Sequence, residues 1–115
     1  RRRLLADAKA KALSLVEGYQ PPEPAVLNLP GPSARAALNM AVEGFVTQGK
    51  ATAYDAVVAA EVARVLSGGD TDITEEVTED KLLALEREGE MRLFRNEATL
   101  ARISHMLETG KPLRN

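Results

Sequence analysis

Apolar residues in this 115-residue chain recur every three or four positions over five stretches, the spacing of helices with one covered face. No strand-like alternation of useful length and no internal repeat interrupts that pattern. The most apolar stretch is Thr52–Leu66, TAYDAVVAAEVARVL. At about 100° per residue, Ala56, Ala59, Ala60 and Ala63 form a ridge that lets a neighbouring helix approach. Tyr54, Val57, Val58, Val62 and Val65 fill much of the remaining girth, and only Asp55, Glu61 and Arg64 break it. A helix apolar on most sides is expected to be buried, and this one is too short and too charged to span a bilayer. Thr52 with Asp55 predicts a capping-box start, and Gly68-Gly69 predicts the stop.

The other four stretches arrange themselves around this one. Residues 2–17 place Leu4, Leu5, Ala8, Ala12, Leu15 and Val16 in one stripe, with Asp7, Lys9 and Lys11 mostly off it and Gly18 as the terminator. Residues 19–32 hold five of the six prolines, so they predict an extended connector, with Val26, Leu27 and Leu29 packing onto the bundle. Ser33 is the expected N-cap of a helix carrying Ala34, Leu38, Ala41, Val42 and Phe45 on one face and ending at Gly49. The short Lys50-Ala51 link predicts an antiparallel hairpin with the central helix. Thr78 is the expected cap of a helix with Leu82, Leu85, Gly89 and Leu93 on one face. A break at Asn96 or Thr99 precedes a last helix with Leu100, Ile103, Met106 and Leu107, closed by Gly110 and Pro112. The expected fold is all-α: one domain over residues 1–115, a bundle of about five helices with a Pro-rich connector after the first.

Composition narrows the function. A formal net charge of −2, from 15 Lys and Arg against 17 Asp and Glu, argues against nucleic acid as a partner. Without cysteine there is neither a disulfide framework nor a thiolate site, which is compatible with the cytoplasm. No run suits a membrane span. Three arginines open the sequence, where they oppose a helix macrodipole. That favours a helix continuing upstream and a chain cut from something larger; the alternative is a basic arm for membrane or RNA.

Candidate chemistry is sparse. Asp70 and Asp72 sit in an acidic loop, but a calcium loop starting at Asp70 needs glycine at Glu75 and a carboxylate at Lys81. No metal site is expected. His105 is the single histidine, lies opposite the apolar stripe of its helix, and has no cysteine or second histidine to complete a zinc site. Glu86, Glu88, Glu90 and Glu108 are near it in sequence but belong to solvated faces. Ser14, Ser33, Ser67 and Ser104 lack a nucleophile-elbow context, and Gly68-Gly69 is no phosphate loop. No catalytic residue is expected.

The segments ADAKAKALSLVEGYQPP, YDAVVAAEVARVLSGGD and VTEDKLLALEREGEMRLFRNEATLARISHMLETGKPLRN, in this order, resemble the C-terminal region of bacterial multifunctional 3-hydroxyacyl-CoA dehydrogenases. In that family a dehydrogenase part is fused to an enoyl-CoA hydratase (crotonase-like) part. The resemblance implies a parent enzyme of fatty acid β-oxidation that hydrates a trans-2-enoyl-CoA and oxidises the 3-hydroxyacyl-CoA with NAD. It implies for this region a helical tail that packs against upstream catalytic domains and supports a homo-oligomer, with no cofactor of its own. By position in TGKPL, Lys111 is the residue it implies at a CoA phosphate. The family's aromatic in its EREAF-like segment is replaced here by Glu90, which puts docking of that helix in doubt. Read without the resemblance, the chain is a helical domain that is part of something larger; the alternative function is a stand-alone helical interaction module, its apolar surface serving as a protein-binding face.

Overall fold

The computed structural model describes residues 2–115, with helices α1 (Arg2–Ser14), α2 (Pro32–Thr47), α3 (Ala53–Leu66), α4 (Glu79–Phe94) and α5 (Glu97–Thr109). Arg1, the first of the three opening cations, lies outside the described residues. The five-helix, mostly α architecture agrees with the sequence pattern. The first helix is shorter than expected and gives way to turns over residues 15–18.

The body is the α2–α3–α4 layer. The capping box opens α3: the Thr52 hydroxyl accepts from the Asp55 N–H at 3.0 Å, and the Asp55 carboxylate accepts from the Thr52 N–H at 2.8 Å. At its far end Ser67 is the C-cap, and its carbonyl accepts from the Gly31 N–H at 2.8 Å. That bond joins the end of α3 to the start of α2, so the hairpin is antiparallel. Gly31, not Ser33, is the N-cap of α2, with Pro32 in the first turn. The Ser33 hydroxyl instead donates to the Pro30 carbonyl at 3.1 Å. The reason is steric. Gly31 has φ +64°, and a Cβ there would lie 1.8 Å from the Thr71 carbonyl oxygen, so only glycine lets the chain turn against that loop.

The connector contains a feature that the periodicity does not announce. Val26–Asn28 form strand β1, paired antiparallel with β2 (Glu76–Thr78) in the register Val26↔Thr78, Leu27↔Val77, Asn28↔Glu76. Three-residue strands are too short to leave a period-2 signature. Their consequence is local: Val77 is fully buried at 0 % exposure, while Val26 and Leu27 stay exposed and only Leu29 is half-buried. Thr78 then caps α4, its hydroxyl accepting from the Lys81 N–H at 3.3 Å. Glu79 and Asp80 occupy the first turn, where the helix dipole favours them.

The core is small. Ala63, Val77 and Leu85 are its buried apolar side chains, with Ser67 and Thr71 buried beside them. The central helix is therefore not enclosed as its composition predicts: Ala63 is buried, but Val57, Val62 and Leu66 are exposed. Its alanine ridge is covered or half-covered, Val58 and Val65 are half-buried with it, and Val57, Val62 and Leu66 are left open. Arg3–Ser14 of α1 are exposed throughout, so that helix projects as an arm ahead of the point where the connector joins the body at β1. The radius of gyration is 19.8 Å, against about 13 Å for a compact globule of this length.

Candidate functional site

Helix α5 attaches to the body by its polar side. Asn96 opens it, the side-chain oxygen accepting from the Ala98 N–H at 3.0 Å. Ala98, Thr99, Arg102 and His105 are half-buried, whereas Leu100, Ile103, Met106 and Leu107 are exposed, Leu107 at 83 %. The face that periodicity marks for a core thus points away from the body.

A polar clasp holds the covered side. The Arg102 guanidinium lies 2.9 Å from the Asp55 carboxylate, donates to the Thr52 hydroxyl at 3.3 Å, and sits 4.8 Å from the Tyr54 ring centroid. The Tyr54 and Thr99 hydroxyls share a hydrogen bond of 2.5 Å. Arg102 Nε also donates to the Asn115 side-chain oxygen at 2.7 Å, and Asn115 Nδ2 donates to the Ala98 carbonyl at 3.1 Å. Arg114 Nη2 donates to the Lys50 carbonyl at 3.3 Å. The C-terminal residues are thereby strapped across the α3 N-terminus. The Thr52 N–H and the Arg102 guanidinium hold the Asp55 carboxyl below the usual carboxylate range. None of these pairings is foreshadowed in the sequence, because Tyr54 and Thr99 are 45 residues apart and no periodicity links them.

Two apolar grooves flank α3. One, of about 370 Å³, is lined by Val62, Val65, Leu66, Gly89 and Leu93, with Glu61 on its α3 wall and Glu86 and Glu90 on its α4 wall. Glu61 is forked to Arg92, Nε and Nη2 donating at 2.8 and 2.7 Å, and that pairing lowers its pKa. The other, of about 360 Å³, runs past Leu38, Val42, Val58 and Ala59 to the Asp55–Arg102 pair.

The sequence-derived candidates are not brought together. His105 is half-buried, and its carbonyl accepts from Thr109 Oγ1 at 2.7 Å. Lys111 is exposed on the terminal strap. Asp70 pairs with Arg35 at 3.2 Å, while Asp72 turns inward on its own loop, accepting from the Thr74 N–H at 2.7 Å and from the Thr74 hydroxyl. Those two contacts, the hydroxyl first, lower the Asp72 pKa. Among the described residues no group of three or more His, Cys, Asp or Glu forms a metal-holding cluster, and no helix is long and apolar enough to cross a membrane. The Gly68-Gly69 turn does not fit a dinucleotide. A Cβ on Gly68 would meet Leu29 at 2.9 Å and one on Gly69 would meet Leu85 at 3.0 Å, so the turn faces apolar side chains and offers no cradle for a phosphate.

Comparison with known proteins gives this surface a context. The chain is similar to a probable 3-hydroxyacyl-CoA dehydrogenase. That relative, from Bacillus subtilis (strain 168), is 39 % identical over 113 residues, which is 97 % of this chain and 14 % of the relative. The chain thus spans about a seventh of the curated relative that it matches. No family model and no solved structure matches it. The dehydrogenase side of the resemblance is supported by this match.

Proposed function

We propose that this chain is the C-terminal helical segment of a 3-hydroxyacyl-CoA dehydrogenase-type protein with a fused enoyl-CoA hydratase (crotonase-like) part, acting by packing and self-association without a catalytic site of its own. The 39 % identity over nearly the whole chain to a dehydrogenase-named relative carries the reading. The outward apolar stripe of α5 and the exposed Val57, Val62 and Leu66 of α3 support it, since a segment taken from a longer protein leaves uncovered the faces that its neighbours cover. The parent acts on acyl-CoA in the cytoplasm, with NAD bound by upstream catalytic domains and with neither nucleic acid nor membrane as partner. Lys111, exposed on the strap, is the residue of this segment proposed to reach a CoA phosphate.

Calorimetric titration of acyl-CoA into the 115-residue chain and into the longer protein that carries it tests the reading. The expected result is binding by the longer protein only, weakened by Lys111→Ala. Binding by the 115-residue chain alone overturns the scaffold role, and absence of binding by both overturns the acyl-CoA reading.

A further inference from the structure

The α1 arm and the groove between α3 and α4 have complementary surfaces, although in a single chain they do not meet. At about 100° per residue, Leu4, Leu5, Ala8 and Ala12 of α1 share a stripe, and Lys9 and Lys11 lie about 80° to either side of its centre. The groove has the inverse pattern. Its floor is Val62, Val65, Leu66 and Leu93, opened by Gly89, and carboxylates stand on both walls. On the α4 wall Glu86 and Glu90 are exposed and enter no ion pair among the described residues.

Lengths agree as well. The lined part of α4, residues 86–93, rises about 10 Å, and Leu4 to Ala12 rises about 12 Å. The groove on the other side of α3 is a poorer match for a cation, because its one carboxylate, Asp55, is already neutralised by Arg102. The chain's own arm is held off the body. Its side chains from Arg3 to Ser14 are exposed, and Pro21, Pro22 and Pro24 keep the connector extended.

We propose that the α3–α4 groove receives the basic α1 arm of a second copy of this chain, so that two chains exchange arms, Leu4, Leu5, Ala8 and Ala12 covering the floor while the lysine on the α4 side, Lys9 or Lys11 according to the direction of the docked helix, meets Glu86 and Glu90; Glu61 on the α3 wall is already held by Arg92. This deepens the self-association in the reading above by naming its surface. Two reciprocal contacts of one kind form a closed, isologous dimer. The charged rims make its stability depend on salt.

Sedimentation equilibrium of the 115-residue chain over a wide concentration range tests the exchange. The expected result is a monomer–dimer equilibrium that weakens as salt rises. Glu86→Lys with Glu90→Lys weakens dimerisation at least tenfold, and so does Lys9→Glu with Lys11→Glu. All four changes in one chain restore it. The substituted residues are exposed, so circular dichroism of each variant should match the unsubstituted chain. A dimer indifferent to both charge pairs, or not rescued by the fourfold exchange, overturns the arm exchange but leaves self-association standing. A chain monomeric at every concentration overturns both and assigns the groove to another part of the longer protein.

Discussion

Helices α4 and α5 are neighbours in the chain and carry apolar residues at the same spacing, but opposite faces of them meet the body. In α4, Leu85 and Gly89 are buried and Leu82 and Leu93 half-buried, while its charged residues face solvent. In α5 the half-buried positions include Thr99, Arg102 and His105, and the stripe of Leu100, Ile103, Met106 and Leu107 is left out. Periodicity records which face of a helix is suited to cover, not what covers it. Where a helix presents its polar side to the body at hand, a second neighbour is implied for the other side. The α4 contact holds a buried leucine against the body, and the α5 stripe is one part of the exposed apolar surface, beside Val57, Val62 and Leu66 of α3 and Leu83, Met91 and Phe94 of α4.

The comparison is most sharply broken by removing the frame on which α4 rests. Gly31→Ala places a Cβ in the Thr71 carbonyl at a residue with φ +64°. It should cost about 3 kcal/mol or more, read as a lowered denaturation midpoint. Leu85→Ala opens the buried face of α4 and should cost about 2–4 kcal/mol in the same measurement. Breaking the clasp with Arg102→Ala should cost about 1–2 kcal/mol, since the pair is only partly covered. Its distinguishing sign is faster amide exchange in α5 and in the terminal strap, with α2 and α3 unchanged. The smallest effect belongs to Leu107→Ala, which should stay within about 0.5 kcal/mol because Leu107 is 83 % exposed in this chain. A loss comparable to that of Leu85→Ala would show that the stripe is already covered within one chain.

Acid sharpens the same contrast. Asp55 has a folded pKa below its unfolded value, so the folded state favours the ionised carboxylate. Its contribution is fully present above the unfolded value, about 4, and is lost as pH falls through the lower folded value. Glu61 and Asp72 act in the same direction. Denaturation midpoints should therefore be flat from neutral pH to about 5 and fall below about 4, and Asp55→Asn should flatten part of that fall.

Much of the body was legible in the sequence because its signals are local. Thr52 and Asp55 lie three residues apart, Thr78 precedes its helix, and Gly110 closes the last one in the left-handed conformation. Gly31 as the cap in place of Ser33 was hidden, because the choice is made by Thr71, forty residues away in the chain. The Val26–Asn28 strand was hidden by its brevity. The central helix was expected to be enclosed because apolar composition reports a preference for cover, and part of that cover is missing around Val62 and Leu66. The clasp of Tyr54, Asp55, Arg102 and Asn115 joins residues with no sequence relation, so only the fold brings it together.

The uncovered face of α5 can be read directly by methionine oxidation. Met106 lies on that stripe, and Met40 is exposed on α2 as an internal reference. In the 115-residue chain both should oxidise at comparable rates. In the longer protein proposed to carry this segment, Met106 should be protected at least tenfold relative to Met40. Equal oxidation of Met106 in both forms would contradict the account and leave α5 with a face that nothing covers.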